Sequence, residues 1–282
     1  MTPGEASATH MDLKRTAKDL LPPVVVSGLR AFRSTGRVRF TGPYPTWEVA
    51  AAASTGYDAR EILEKVRAAA LRVRRGEAAF ERDSVAFDEP EHLFPHLAVF
   101  LRTALAHGGQ LSVLDFGGSL GSTYYQCRGF LTGLGRLTWS VVEQPAFVEC
   151  GKREFESDEL HFYETVEECM GVQPPHVALL SNVLQYLRDP GDIARRIASG
   201  RPEAIIIDRT PVHERPTDSI VVQHVPPSLY RASLPFRIFT RAHLLGLFGD
   251  DYALAADLPT LEFETLERKL NAHYVGVLLE RK

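Results

Sequence analysis

The stretch Leu111-Ser-Val-Leu-Asp-Phe-Gly-Gly-Ser-Leu-Gly-Ser122 constrains the fold more than any other in these 282 residues. An apolar, β-favouring run enters Asp115, the glycines Gly117, Gly118 and Gly121 follow at once, and a helix-like segment comes next. That is the pattern of a buried parallel strand ending in a tight turn that opens a helix. Glycine lets the backbone take positive φ and come close to a bound group, and the first N–H groups of the helix present partial positive charge. The turn is therefore a ligand seat, suited to a nucleotide-like or adenosyl group. A second strand is expected at Leu137-Thr-Trp-Ser-Val-Val-Glu143. Its acidic end is placed to accept hydrogen bonds from both ribose hydroxyls of a ligand held by the first turn.

From there strands and helices alternate. Strands are expected at about 111–116, 137–143, 160–163, 176–181 and 203–207, which calls for a parallel sheet wrapped on both faces by right-handed crossovers. Ligands then sit at the carboxyl ends of the strands. Arg241 to Phe248 reads as a helix, and Tyr252–Ala256 and His273–Leu279 as two last strands forming a hairpin-like antiparallel edge. Upstream, Asp58 to Arg75 and Glu91 to His107 read as helices, with Thr46 and Asp58 as candidate caps. Phe40 to Trp47 is too rich in proline and aromatics for a regular element and reads as an ordered loop. Phe80 to Asp88 reads as a lid or surface loop. Between Asp208 and Thr240, Pro211, Pro216, Pro226, Pro227 and Pro235 interrupt any helical period, so this stretch reads as a substrate-side insertion. The expected organisation is an arm and helical extension over 1–108, then a sheet domain over 109–282 with its insertion at about 208–240.

Composition narrows the partners. A net charge of −4 argues against a chain-wide nucleic-acid footprint, and Arg67, Arg72, Arg74 and Arg75 crowd one helix end, where the helix dipole favours them. Cys127, Cys150 and Cys169 are odd in number and form no CxxC pair, which suits a reducing cytoplasm rather than a disulfide framework. No run reaches the roughly 18 apolar residues of a membrane span, and no secretion signal is expected at the start. Met11 to Arg33 mixes apolar and basic residues, either as an arm packed on its own domain or as a peripheral contact with a membrane or partner. The histidines form no H-x-E or HExxH arrangement, so no metal is expected.

Polar groups gather where the strands should end. Ser181, Asn182, Gln185 and Tyr186 follow the fourth strand, with helix capping as the competing role of Asn182 and Gln185. Asp208 and Arg209 follow the fifth, with an internal ion pair as their competing role. In the insertion, His213, Gln223, His224 and Tyr230 can move a proton or hold a hydroxyl, and Asp208 and His224 are the base candidates. Tyr44, Trp47, Phe87, Tyr124 and Tyr230 are candidate walls of an acceptor pocket, and each is equally a candidate core aromatic.

With these pieces assembled, the chain resembles the class I S-adenosylmethionine (SAM) dependent methyltransferases. More narrowly it resembles a methyltransferase family encoded in polysaccharide and surface-glycan biosynthesis loci. The resemblance is carried by Phe40-Thr-Gly-Pro-Tyr44, Glu81-Arg-Asp-Ser84, Val113 to Ser122, Trp139-Ser-Val-Val-Glu-Gln-Pro145, Leu180 to Leu187, Ile207-Asp-Arg-Thr-Pro211 and Val222-Gln-His-Val-Pro-Pro227. It implies a Rossmann-like, mostly parallel sheet with an antiparallel C-terminal strand, and SAM at Asp115, Gly117, Gly118, Gly121 and Glu143, with Ser119, Gln144, Asn182 and Gln185 beside it. Ser119 stands where the usual pattern has glycine, so its hydroxyl must avoid the methionine portion or bond to it. The expected reaction is methyl transfer to a hydroxyl, less readily an amine, of a small polar acceptor such as a sugar, with Tyr44, Tyr124, Arg209, His213, Gln223 and Tyr230 on the acceptor side.

Three other readings fit part of the pattern. Gly117-Gly-Ser-Leu-Gly121 satisfies the G-x-S-x-G nucleophile elbow of α/β-hydrolases, with Ser119 as nucleophile, yet few strand patterns precede it to build that sheet. The turn and the acid would also serve an NAD(P)-dependent oxidoreductase, although the spacing departs from G-x-G-x-x-G. A non-catalytic SAM-binding scaffold would bind the cofactor without turnover.

Overall fold

The computed structural model describes residues 38–56, 59–226, 232–260, 266 and 270–282. The N-terminal arm, Asp58 and Tyr230 lie outside the described residues. The expected alternation is present: β4 (Gln110–Phe116), α4 (Ser122–Leu131), β5 (Arg136–Val142), α5 (Pro145–Glu154), β6 (Leu160–Tyr163), α6 (Val166–Val172), β7 (Val177–Ser181), α7 (Pro190–Ser199) and β8 (Ala204–His213). β4 pairs in parallel with β5 on one side and β7 on the other, β5 with β6, and β7 with β8. The order β6-β5-β4-β7-β8 reverses at β4, so a crevice opens at the carboxyl ends of β4 and β7.

These strands are near-continuous apolar runs because both faces are covered. Leu111, Val113, Trp139, Val141 and Leu179 face one buried layer with α3 (Phe94–Ala106), α4 and α5. Leu114, Val142, Leu180, Ile205 and Ile207 face the other with α6, α7 and α8 (Arg241–Gly246). β11 (Tyr252–Leu258) and β12 (Ala272–Arg281) complete the sheet antiparallel, as expected. It is β11 that forms the edge, since β12 lies between it and β8. The fold is a Rossmann-like α/β sheet with an antiparallel C-terminal strand.

Three expectations are corrected. Phe40 to Trp47 is no loop: β1 (Arg39–Tyr44) pairs antiparallel with β9 (Ser219–His224), its register shifting between Thr41 and Tyr44 around a cis Gly42–Pro43 bond. Proline is tolerated there because β1 is an edge strand. Thr46 does cap the next helix, α1 (Trp47–Ala52), by accepting from the Val49 N–H at 3.3 Å. The stretch 208–240 is also more regular than its prolines suggest. β8 continues to His213, β9 follows, and β10 (Ser233–Thr240) pairs antiparallel with β9 and in parallel with the end of β8. Pro235 sits in β10 opposite Val222, where one missing donor is tolerated. Finally, Phe80 to Asp88 forms a hairpin, β2 (Phe80–Arg82) and β3 (Val85–Phe87), that packs beside α2 (Ala59–Arg74).

Candidate functional site

One cleft of about 1400 Å³ opens at the carboxyl ends of β4, β5 and β7 and beside the middle of β8. Its first wall is local in origin. Asp115, Gly117, Gly118 and Ser119 line it, with Glu143 and Gln144 after β5 and Asn182 after β7. Gly117 sits at φ +74°, where a side chain is strained, and its Cβ would meet Val183 Cγ2 at 2.6 Å. Gly118 needs its missing side chain because a Cβ would lie 2.5 Å from the Asp115 carboxylate. Ser119 takes the left-handed φ of +58° that its glycine-rich neighbourhood imposes. α4 starts at Gly121 with no side-chain cap, so the N–H groups of its first turn, at the cleft-lining Ser122 and Thr123, remain available.

Asp115 is almost wholly buried, and its Oδ2 accepts the Trp139 indole N–H at 3.0 Å. Burial pushes its carboxyl up to about 7, against the stabilising indole hydrogen bond. Glu143 is likewise pushed up by burial, while the N–H groups of Gln144, at 2.6 Å, and of Ser119 favour its charged form. These two N–H groups hold the carboxylate in place, and a carboxylate has further lone pairs for hydroxyl donors.

The second wall is assembled from distant segments. Ser181, Tyr186, Asp208, Arg209, Gln223, Leu234, Tyr274 and Phe40 contribute, as do His92 and His96 from the entrance to α3 and its first turn. Asp208 and Arg209 are consecutive in β8, yet both line the cleft. Opposite them the ladder advances from Ile207↔Val277 to Thr210↔Val275, three steps on β8 against two on β12. Arg209 is thus in a β-bulge and takes φ +49°, and the extra residue re-aims a side chain that strict alternation would turn away. Asp208 is buried. Its Oδ2 lies 3.2 Å from Ser181 Oγ, which donates to it, 3.5 Å from His96 Nε2 and 3.9 Å from Arg209 Nε. Burial pushes its carboxyl up, but the His96 hydrogen bond and the charges of His96 and Arg209 outweigh that and hold it below the usual range.

The β2–β3 hairpin closes one side. Glu81 is buried and accepts from the Ser122 hydroxyl and from the Ser84 N–H at 2.8 Å. Burial raises its carboxyl to about 7 despite those bonds. Asp83 reaches Arg209 at 3.9 Å, so the hairpin touches both walls.

Several expected site residues stand elsewhere. Gln185 is fully buried and donates to Asn182 Oδ1 at 2.5 Å, bracing the loop rather than lining the cleft. Gly121 backs the turn against Leu160. Tyr124 is a core residue, edge-on to Trp139 with its hydroxyl donating to Glu159 at 2.7 Å. His213 is buried against Ser219 Oγ at 2.9 Å, and His224 meets Thr41 Oγ1 at 2.9 Å between β9 and β1. Tyr44 contacts Thr41, Trp47 lies under the Arg237 guanidinium, and Phe87 stacks on Phe80. None of these lines the cleft. Gln223 does, and accepts from the Tyr186 hydroxyl at 3.0 Å.

His96 is the residue that sequence reasoning missed. Its signal was present: it shares the buried α3 stripe with Val99, Phe100 and Thr103 at helical spacing. Among the described residues no group of three or more histidines, cysteines or acids could hold a metal ion, and no helix is long and apolar enough to cross a membrane.

No family model and no curated protein matches the chain. Among solved structures it is similar to a 1,6-didemethyltoxoflavin-N1-methyltransferase of Burkholderia thailandensis with bound 1,6-didemethyltoxoflavin and S-adenosylhomocysteine. The identity is 16% and the TM-score 0.44, over 81% of this chain and 95% of that one. The N-terminal domain of EvdMO1, in the presence of S-adenosylhomocysteine and D-fucose, matches at 16% identity and a TM-score of 0.44, over 80% of this chain and 98% of that one. LepI in complex with SAM matches at 14% identity and a TM-score of 0.47, over 79% of this chain and 65% of that one.

Proposed function

We propose that the chain transfers the methyl group of SAM to a hydroxyl, less readily an amine, of a small polar acceptor such as a sugar or sugar-containing metabolite. The observation that carries this reading is a single cleft with two unlike walls: an uncapped helix start and a doubly braced Glu143 on one, and Asp208, Arg209 and Gln223 on the other. The first wall fits a nucleoside. Its glycines let backbone approach closely, and the Glu143 carboxylate has free lone pairs for a ribose, with Gln144 and Asn182 as further contacts. SAM, when bound, supplies a methyl carbon activated by a sulfonium, so the protein needs chiefly to align the acceptor and take up its proton. Arg209 and Gln223 are placed to orient an acceptor hydroxyl.

The hydrolase alternative lacks its sheet: before β4 the described chain contributes only β1, in the outer ladder, and the β2–β3 hairpin. Calorimetry with SAM, NADH and NADPH tests the cofactor, with binding expected for SAM alone. Binding of NADH or NADPH in its place would overturn the reading. Release of S-adenosylhomocysteine with free hexoses as acceptors tests the reaction. The glycan-locus resemblance makes hexoses the first choice, and SAM binding without turnover on any acceptor would favour the scaffold.

A further inference from the structure

His96 is 3% exposed, lines the cleft and carries a ring nitrogen, Nδ1, that has no hydrogen-bond partner among the described residues. Its other nitrogen, Nε2, lies 3.5 Å from Asp208 Oδ2. An ionised carboxylate can only accept, so the hydrogen facing Asp208 is on Nε2, and whenever the ring is neutral its lone pair lies at Nδ1. A buried acceptor left without a donor is a costly arrangement in a folded protein, and such groups mark places where a partner belongs. Asp208 itself is a weak base. The same neighbours that keep it charged, Ser181, His96 and Arg209, lower its appetite for a proton.

Resting on the methyl-transfer reading, we infer that His96 Nδ1 is the catalytic proton acceptor for the acceptor hydroxyl and that Asp208 is its positioning residue. The hydroxyl oxygen donates an electron pair to the methyl carbon, the carbon–sulfur bond breaks with its pair remaining on sulfur, and the hydroxyl proton passes to Nδ1. The products are the methyl ether and S-adenosylhomocysteine, and the resulting imidazolium is held against the Asp208 carboxylate. The arrangement is a nucleophile–base–orienter chain in which the nucleophile comes from the substrate.

The test has two arms on the full-length chain. Nitrogen-15 NMR of the histidine rings in the protein saturated with S-adenosylhomocysteine should show His96 as the neutral Nε2–H tautomer. Asp208→Asn should disturb that tautomer. A hydrogen on Nδ1 in the unsubstituted protein would overturn the inference. In the second arm, release of S-adenosylhomocysteine is followed with free hexoses. His96→Gly and the bulkier His96→Gln should each lose at least about 100-fold in kcat with the KM for SAM unchanged, and added imidazole should restore part of the His96→Gly loss. A kcat loss below about threefold, or a loss confined to KM, would overturn it. Failure of the unsubstituted protein to bind SAM would instead sink the methyl-transfer reading, and the ring-nitrogen result would still decide the tautomer.

Discussion

The two walls of the cleft are built by different means. The first wall, which the proposed function assigns to the cofactor, comes from the ends of adjacent parallel strands, and its shape follows from backbone geometry at Gly117 and Gly118. The second wall, which the proposed function assigns to the acceptor, draws on α3, β1, β8, β9, β10 and β12, and its shape follows from a bulge and from side-chain contacts between segments far apart in the chain. A locally encoded wall is suited to one constant ligand. A wall assembled from many elements is suited to a partner that varies.

That contrast predicts separable defects. The largest effects should come from removing one key side chain on each side. Glu143→Ala should weaken SAM binding by at least about 100-fold, since two hydrogen bonds to a charged group are worth about 1.5–3 kcal/mol each. Asp208→Asn should leave SAM affinity within about twofold while lowering turnover by about 10²–10⁴, measured by calorimetry and by S-adenosylhomocysteine release. If either variant produced both defects, the two walls would be one functional unit.

Next in size is a pH effect. Asp115, held at about 7 by burial against an ordinary 3.8, binds a proton more tightly folded than unfolded. Its contribution is therefore fully favourable below about pH 4 and is lost as pH rises toward and through 7. Asp115→Asn should remove a loss on the order of 3 kcal/mol from the unfolding free energy between pH 4 and 8, read by urea denaturation. Glu81, at about 7 on the hairpin, acts in the same window with the same sign, so some pH dependence should remain until Glu81→Gln is added.

A smaller effect is expected for Gly118→Ala. It forces a methyl against the Asp115 carboxylate and should cost about 1–3 kcal/mol of stability, seen as a lower urea midpoint. The smallest is expected for His224→Ala. It loses one hydrogen bond to Thr41, about 1 kcal/mol, and should leave turnover within about twofold because His224 lies outside the cleft. A large turnover loss there would extend the acceptor wall to the β1–β9 edge.

The same division explains what could be read from the sequence. β4 to β7 and the start of β8 announce themselves as short apolar runs, and the turn after Phe116 is spelled by glycines whose φ values the structure confirms as positive at Gly117 and Gly121. Glu143 follows because a strand's carboxyl end is fixed once the strand is, whereas Asp208, expected just past the end of its strand, lies in the middle of β8, which runs on to His213. The acceptor wall gave weaker signals. β1 carries a Gly–Pro pair that reads as a loop and becomes a strand only through pairing with β9, far along the chain. Tyr124 and Gln185 carry polar groups that look functional in one dimension, but the Tyr124 hydroxyl is held by Glu159 away from the cleft, and the Gln185 amide sits behind the cleft-lining Asn182, to which it donates. His96 was hidden for the opposite reason, since it occupies an apolar helical stripe where a histidine passes for filling.

The extra residue in β8 has a consequence for how this protein can change. Deleting one residue at 208–209 would restore a one-for-one ladder, with Ile207 still opposite Val277 and Thr210 still opposite Val275. Val212, packed with Phe239 and Leu244, would keep its face, and His213 would keep its contact with Ser219. Shortening the chain here would thus spare the outer ladder and cost only one of the two neighbouring side chains that this strand turns toward the cleft, so the insertion is a self-contained edit that adds a polar group there without re-threading the rest of the sheet.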